Sequence, residues 1–224
     1  MTELLSASEL TKKFPLRWDR DSLLLLPFHW RKVSQKAVLF EEVSLTVSAG
    51  EILGLSGING SGKSTLLSIL AGIISPSTGR VIRNGAIAPL LSLGGLCYPD
   101  LSLEENVLVC GAFFGIPRSS AKERSEQILK AAHLIDKRGE RFAVLSSGMQ
   151  ARFLLSLALS SEAKVPLIDE LLSSLDDEHK EWCSSQLRSF ANNGGAVILT
   201  SHHKDLLTKV STRHLTLERD GLKG

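Results

Sequence analysis

The chain has 224 residues, of which 43% are hydrophobic and 22% are charged, and its formal net charge is +2. This length suits one domain with a sizeable core, and the composition excludes an extensively disordered chain. The small net charge neither requires nor excludes a nucleic acid as partner. No apolar stretch approaches the ~20 residues that cross a bilayer, so any work on a membrane needs another chain to supply the spans.

The N-terminal part of the chain predicts two strands, an insert and a strand–loop–helix unit. Residues 1–14 predict a first strand, and residues 15–37, rich in leucine, tryptophan and basic side chains, predict an inserted segment. Apolar and polar residues alternate over 43–47, which is the period of a half-buried strand. A short buried strand over Ile52–Leu55 then leads through a glycine-rich loop into an apolar helix over Thr65–Ile74.

The central part predicts a turn followed by helices. Asn84-Gly85, between two short apolar stretches, predicts a hairpin. Two capping boxes then predict helix starts: Ser102 with Glu105, and Ser120 with Glu123. They bound a mainly helical region over about 101–134.

Helices and strands alternate through the rest of the chain. The predicted elements are an apolar helix over Met149–Ser161, a short strand over Val165–Ile168, a charged helix from Asp177 to the stop signal Asn192-Asn193-Gly194-Gly195, and a strand over Ala196–Thr200. Such alternation predicts an α/β fold in which helices cover both faces of a mostly parallel sheet.

The glycine-rich loop has the clearest chemistry. Its sequence fits the phosphate-loop pattern G-x-x-x-x-G-K-[ST]: Gly57-Ile58-Asn59-Gly60-Ser61-Gly62-Lys63-Ser64. Glycines let backbone N–H groups curl around phosphate oxygens, and the start of the next helix adds positive partial charge. Lys63 is predicted to reach the β- and γ-phosphates, and the Ser64 hydroxyl is predicted to bind Mg²⁺. The buried strand before the loop and the apolar helix after it are the context that this motif requires.

A second apolar strand is predicted to end in two carboxylates, Asp169 and Glu170. Strand ends on one edge of a parallel sheet lie together, so Asp169 is predicted to face the Mg²⁺ held by Ser64. Glu170 is predicted to polarise an attacking water as general base. Because Pro166 lacks an N–H, we expect this strand to be short or to begin only at Leu167.

A turn over residues 145–149, Leu-Ser-Ser-Gly-Met, precedes the apolar helix. A serine and glycine turn at a helix N-terminus can bind an anion. From the residues alone, a simple helix N-cap is the favoured interpretation, and an anion site is the alternative.

In this order the motifs resemble the ATP-binding subunits of ABC transporters over nearly the whole chain. The resemblance implies an α/β P-loop NTPase of ABC type, one domain over 1–224, with a mostly parallel sheet, a small antiparallel β subdomain and a helical subdomain inserted over about 93–145. Residues 145–149 resemble the family's signature, in a form similar to that of exporters of bacterial surface polysaccharides. By that match Ser146, Ser147 and Gly148 of one copy close over the ATP held by another.

The same resemblance implies roles for residues elsewhere. Residues 173–176 are similar to the loop that runs along the dimer seam, and His202 to the histidine that contacts the γ-phosphate. Thr65 extends the nucleotide-binding segment that starts at Gly57. Phe14 stands where an aromatic ring stacks on adenine, and a core aromatic that ends a strand is the alternative.

The sequence departs from the family pattern after the strand near Leu90. The family's glutamine, which helps to order Mg²⁺ and water, is missing there, and Ser92 is the nearest candidate to bind the metal instead. The insert over 15–37 is similar to extra sequence in the polysaccharide exporters. Its composition suits a membrane–water boundary, a partner subunit or the domain's own core.

The resemblance therefore implies an ATPase that binds ATP and Mg²⁺ and uses Lys63, Glu170 and His202 in catalysis. The expected partners are a second copy of the chain and an integral membrane permease at the cytoplasmic face of the inner membrane, and no nucleic acid is expected. The expected task is export of a bacterial surface polysaccharide. The alternatives are an ABC-type ATPase acting on DNA or ribosomes, a P-loop nucleotide kinase, and an ABC transporter subunit for another cargo.

Overall fold

The computed structural model describes residues 2–15, 36–91, 96–172, 175–201 and 204–224. The strands are β1 (Glu3–Pro15), β2 (Lys36–Ser48), β3 (Ile52–Ser56), β4 (Thr78–Arg83), β5 (Ile87–Leu90), β6 (Val165–Asp169), β7 (Val197–Thr200), β8 (Arg213–Glu218) and β9 (Gly221–Lys223). The helices are α1 (Lys63–Ala71), α2 (Leu103–Phe113), α3 (Ala121–Ala131), α4 (Ser147–Leu159), α5 (Asp177–Asn192) and α6 (Lys204–Val210), with 3-10 turns at Ile135–Lys137 and Phe142–Val144. Most of the predicted insert, residues 16–35, lies outside the described residues.

A six-stranded sheet forms the centre of the molecule, in the order β5-β6-β7-β3-β8-β9. Its pairs are parallel from β5 to β8, and β8 and β9 pair antiparallel. Neighbouring residues of β3 pack into different apolar clusters: Ile52 lies with the α2–α5 helices, and Leu53 and Leu55 lie with α1 and the second sheet. Because both faces of the strand are covered, all five of its residues are buried. The predicted α/β fold with a mostly parallel sheet is confirmed.

A smaller antiparallel sheet, in the order β2-β1-β4, packs beside the central one. The hairpin predicted at Asn84-Gly85 is wrong, because β4 pairs with β1 while β5 pairs with β6 in the other sheet. Asn84 stays hydrogen-bonded to β1, its N–H donating to the Leu4 carbonyl at 2.9 Å and its Nδ2 to the Glu3 carbonyl at 3.2 Å. The turn therefore carries the chain from one sheet to the other.

The two predicted capping boxes have different outcomes. At α2 the Ser102 hydroxyl accepts the Glu105 N–H at 3.2 Å, and the Glu105 carboxylate accepts the Ser102 N–H at 2.8 Å, so this box is confirmed. At α3 the box is wrong: Ser120 has helical backbone angles and makes no side-chain cap bond. Its hydroxyl donates instead to the Pro117 carbonyl at 3.2 Å. A capping side chain needs an extended backbone, which the tight turn after Pro117 does not provide.

β6 is short, with five residues, and it begins at Val165, so the alternative of a short strand is confirmed and the start at Leu167 is wrong. The register with β7 starts at Leu167 opposite Ile198, so the missing proline N–H falls ahead of that ladder. Further along, α5 ends at Asn192 as predicted, with Gly194 at a φ of +88°. Within the described ranges, no helix has both the length and the apolar character needed to cross a membrane.

Candidate functional site

The phosphate loop connects β3 to α1 at the carboxyl edge of the central sheet. β3 ends at Ser56, and α1 begins at Lys63. β3 is flanked by β7 and β8, so the loop leaves from the interior of the sheet rather than from an edge strand. Ligands of open α/β sheets bind at this edge, just outside the carboxyl ends of the strands.

The loop requires glycine at Gly57 and Gly62. Gly62 has a φ of +100°, and a Cβ on it would lie 2.8 Å from Leu39 and 3.0 Å from Phe40. Gly57 has a φ of +154°, and a Cβ there would lie 2.6 Å from the Ser61 hydroxyl. A side chain at either position would therefore combine backbone strain with a collision. The tight curl that the motif predicts is built into the backbone.

Helix α1 starts without a side-chain cap. Its N-cap is Gly62, which has no side chain to accept an amide hydrogen bond, and Leu66 donates its N–H to the Gly62 carbonyl at 2.7 Å. The N–H groups of the first helical turn lack partners within a helix. Because no side chain caps them here, the N-terminus of α1 has the character of an anion site.

Lys63 is buried inside the loop. Its ammonium donates to the Gly57 carbonyl at 2.8 Å and lies 3.4 Å from the Ile58 carbonyl, and the residue is only 7% exposed. The Ser61 hydroxyl is also buried and has no hydrogen-bond partner among the described residues. A buried cation and an unsatisfied hydroxyl in the same loop fit an anionic ligand that supplies oxygen acceptors.

Glu170 lies with the phosphate loop although it is far away in sequence. One cleft of about 370 Å³ is lined by Leu39, Asn59, Gly60, Gly62, Lys63, Ser64, Thr65 and Glu170. This cleft joins the predicted loop residues to the predicted general base. Asp169, one residue earlier, is not among the described residues that line the cleft.

A larger cleft of about 970 Å³ adjoins the first, and the two share Leu39, Asn59 and Gly60. The cleft is also lined by Val38, Ile58, the end of β8 and the β8–β9 connection, the last two over residues 216–220. Sequence reasoning missed Leu39 and Val38. They lie in β2, close to its start at Lys36, and no local pattern reveals that this part of the strand lies against the phosphate loop.

Asp169 and Glu170 are held at the end of β6 by a residue of β7. The parallel register places Asp169 opposite Thr200. The Thr200 hydroxyl donates to Asp169 Oδ1 at 2.6 Å and accepts the Glu170 N–H at 3.1 Å. Glu170 has a φ of +57°, which is uncommon for a residue with a side chain. Sequence reasoning missed Thr200, although a polar residue at the end of a buried strand was an available signal.

The turn over residues 145–149, called the signature turn below, is a helix N-cap, as the favoured interpretation predicted. The Ser146 hydroxyl accepts the Met149 N–H at 3.3 Å, and α4 begins at Ser147. Gly148 packs against the ring of His179, so that a Cβ on the glycine would lie 2.4 Å from the imidazole. None of these residues is among those that line the two clefts, so within one chain the turn and the phosphate loop form separate regions.

Phe14 is the penultimate residue of β1 and is 41% exposed, with the Lys12 ammonium 4.9 Å from its ring centroid. The alternative of a core aromatic is therefore wrong. Phe14 is not among the described residues that line either cleft. Ser92, His202 and residues 173–174 lie outside the described residues, so their predicted roles stay predictions.

Comparison with known proteins gives concordant matches. The model of the ABC transporter family matches residues 40–173. The O-antigen export system ATP-binding protein RfbB of Klebsiella pneumoniae is 32% identical over 229 residues, which cover 100% of this chain and 93% of that protein. The O-antigen export system ATP-binding protein RfbE of Yersinia enterocolitica is 32% identical over 178 residues, which cover 80% of this chain and 74% of that protein.

Among solved structures, a dimeric ATP-binding cassette in a post-hydrolysis state, bound to ADP and phosphate, matches with a TM-score of 0.80. The match covers 99% of this chain and 97% of that one at 21% identity, which supports the fold alone. The family match includes both the phosphate loop and the two carboxylates. The chain therefore belongs to the ABC transporter family, as one of its ATP-binding, ATP-hydrolysing subunits.

Proposed function

We propose that this chain hydrolyses Mg–ATP at the cleft of Lys63 and Glu170, and thereby powers a membrane-spanning partner that exports a bacterial surface polysaccharide. The observation that carries the proposal is the shared cleft, in which a carboxylate from the end of β6 faces the phosphate loop at the start of α1. A general base must lie within reach of the water that attacks the γ-phosphate. The position of Glu170 in the lining of this cleft supports that role.

The phosphate loop has the groups that bind a triphosphate. Amides from Gly57 to Thr65 surround the phosphate oxygens, and the Lys63 ammonium exchanges its carbonyl contacts for the β- and γ-phosphates. Ile58, Asn59, Gly60, Ser61 and Gly62 supply the curve of the loop between them. We propose that the aromatic ring of Phe14 stacks on the adenine of ATP.

Ser64 and Asp169 are the proposed ligands of Mg²⁺, with Ser92 as a third candidate. Hydroxyl and carboxylate oxygens are hard ligands of the kind that Mg²⁺ prefers, and Ser64 lines the cleft. The ion, when bound, offsets the negative charge of the phosphate oxygens. Glu170 accepts a proton from the attacking water, and His202 contacts the γ-phosphate.

A second copy of the chain completes the site in this proposal. Ser146, Ser147 and Gly148 do not line the clefts of their own chain, which agrees with a role at the nucleotide of another copy. The dimeric state of the solved cassette with the same fold supports that arrangement. The two copies meet head to tail around two nucleotides, and hydrolysis lets them separate.

The helical region offers a surface for the membrane partner. Three apolar residues of α2 are exposed, Leu108, Val109 and Phe113, and Tyr98 just before the helix is 52% exposed. A group of exposed apolar side chains is typical of a binding surface. We propose that this face docks against the permease at the cytoplasmic side of the inner membrane, and that the 93–145 region passes on the motion of the dimer.

The proposed cargo follows from the relatives. RfbB and RfbE are ATP-binding proteins of O-antigen export systems, and RfbB matches the whole length of this chain. The signature variant over 145–149 supports the same branch. A cargo other than polysaccharide is the alternative.

The Glu170→Gln variant tests the catalytic assignment. The amide keeps the shape of the side chain and cannot accept the proton, so we expect ATP binding to persist while steady-state hydrolysis falls at least about 100-fold. ATP should then hold the variant as a dimer in size-exclusion chromatography. A hydrolysis rate equal to that of the native protein would refute the role of Glu170.

Purification from membranes tests the partner and the cargo. We expect a polytopic membrane protein to accompany the chain, and loss of its gene or of this one to leave polysaccharide inside the cell. Replacing Phe113 with Ser should release the membrane protein while ATP binding by the isolated subunit stays intact. Recovery of nucleic acid or ribosomes in place of a membrane protein would favour the ABC-type ATPases that act on those substrates.

A further inference from the structure

A buried hydroxyl links the two acidic residues of the proposed catalytic site. Thr200 ends β7, is 1% exposed and lies opposite Asp169 in the parallel register. Buried hydroxyls are almost always hydrogen-bonded, and they commonly bond to their own helix or strand. This one bonds across to β6, to the carboxylate of Asp169 and to the backbone of Glu170.

The bond to Asp169 is short and charge-assisted. At 2.6 Å between Thr200 Oγ1 and Asp169 Oδ1, it has the length expected for a hydroxyl donating to a carboxylate. It fixes one carboxylate oxygen and therefore the plane of the group. The direction of the second oxygen, with which a carboxylate can bind a metal ion, is set at the same time.

The bond to Glu170 acts on the backbone. Glu170 has a φ of +57°, a conformation that residues with a Cβ adopt rarely. Its N–H donates to the Thr200 hydroxyl at 3.1 Å, which stabilises this conformation and with it the direction in which the side chain leaves the strand. One hydroxyl has one donor and two acceptor positions, so it can serve both residues at once.

The same device occurs in the small sheet, at two residues that line neither cleft. Glu42 has a φ of +52°, and its N–H donates to the buried hydroxyl of Thr11 at 3.2 Å. There the pairing holds an irregular position in the antiparallel sheet. The pair is a natural control, because it shares the backbone contact of Glu170 and Thr200 but lies outside the proposed site.

We propose that Thr200 is a positioning residue for ATP hydrolysis: its hydroxyl sets the carboxylate of Asp169 for the metal and the backbone of Glu170 for the attacking water. The inference rests on the proposed function of those two residues. Thr200 itself touches neither nucleotide nor metal in this proposal.

The test compares three substitutions at Thr200. Thr200→Val keeps the shape and removes the hydroxyl, and we expect it to lower kcat for ATP hydrolysis about 10–100-fold, with a higher Mg²⁺ concentration for half-maximal rate. The KM for ATP should change much less, because the phosphate loop is intact. Thr200→Ser keeps the hydroxyl and should restore kcat to within about threefold of the native rate. Thr200→Ala repeats the loss without adding a methyl group, in case the valine side chain is not accommodated.

Thr11→Val is the matched control, and it should leave kcat and the Mg²⁺ dependence unchanged while lowering thermal stability. Native kcat in Thr200→Val or Thr200→Ala would overturn the proposal, and so would a Thr200→Ser variant as slow as these two. Such a result together with an inactive Glu170→Gln variant would refute the positioning role of Thr200 and leave the role of Glu170 as catalytic base intact. Native turnover in Glu170→Gln would instead refute the proposed role of Glu170, on which the inference depends.

Discussion

The phosphate loop and the signature turn are both short serine and glycine turns that open a helix, but they are completed in different ways. At α1 the N-cap is Gly62, and no side chain accepts the amides of the first turn. At α4 the N-cap is Ser146, whose hydroxyl accepts the Met149 N–H. The first turn therefore leaves its amides available to an external anion, whereas the second is partly satisfied by its own side chain.

Their glycines differ as well. Gly62 is required by its φ of +100° and by the nearness of Leu39, both features of the loop and the strand around it. Gly148 has only a packing requirement, because the ring of His179 occupies the space of a side chain. This ring is held by the Asp176 carboxylate at 2.6 Å from His179 Nδ1. The backbone conformation thus requires glycine in the phosphate loop, whereas a side-chain contact with α5 requires it in the signature turn.

The largest effect is expected from Lys63→Met, which removes the ammonium and keeps much of the apolar stem. We expect ATP binding to weaken strongly and kcat to fall at least about 100-fold, because the buried charge that we propose contacts the phosphates is lost. Isothermal titration with ATP and a steady-state assay measure both quantities. A variant that binds ATP as tightly as the native protein would contradict the difference between the two turns.

A smaller effect, on stability, is expected from Gly148→Ala. In a helix this change is normally neutral or stabilising by up to about 1 kcal/mol. Here the added methyl group meets the His179 ring, so we expect a loss of about 1–3 kcal/mol in urea unfolding. In the His179→Ala background the same change should lose nothing or gain stability, because the obstacle is gone. An equal loss in both backgrounds would show that the signature turn, like the phosphate loop, restricts its glycine through the backbone.

The sequence predicts the phosphate loop and the carboxylate pair well, because both are local patterns. Gly57 to Ser64 and Asp169-Glu170 carry their chemistry in adjacent residues, and a parallel sheet brings strand ends to one edge wherever they occur in the chain. Leu39 could not be found in this way, and for Thr200 the sequence shows a polar residue at a strand end but not that it lies opposite Asp169. Their places depend on which strands become neighbours and in which register, and no short pattern contains that information.

The errors have the same physical origin. Asn84-Gly85 has the composition of a hairpin turn, but composition does not say whether the flanking strands pair with each other or with strands of two sheets. Ser120 and Glu123 have the spacing of a capping box, but the backbone at Ser120 is helical rather than extended. Spacing predicts which bonds are possible, and the surrounding backbone decides which of them form.

The N-terminus of α2 allows the contribution of a side-chain cap to the free energy of unfolding to be measured. Ser102→Ala removes the hydroxyl that caps α2, and we expect a loss of about 1 kcal/mol in the free energy of unfolding at neutral pH. Ser120→Ala is the matched control, since that hydroxyl caps nothing, and it should change stability by less than about 0.5 kcal/mol. Similar losses in both variants would mean that the two helix starts are completed alike.

The same cap has a pH signature. Hydrogen bonds from the Ser102 hydroxyl and N–H lower the pKa of the Glu105 carboxyl below its usual value. A carboxyl with a lowered folded-state pKa contributes stability above its unfolded pKa, and this contribution is lost as the pH falls through the folded one. Ser102→Ala should therefore lie closer in stability to the native protein in acid than at neutral pH, as measured by urea unfolding across that range. A difference that stays constant down to the lowest pH would assign the effect to the bond from the Glu105 N–H to the Ser102 hydroxyl, without a contribution from the carboxylate. The start of α4, capped by Ser146 with no acidic residue in its first turn, would then be the better model for α2.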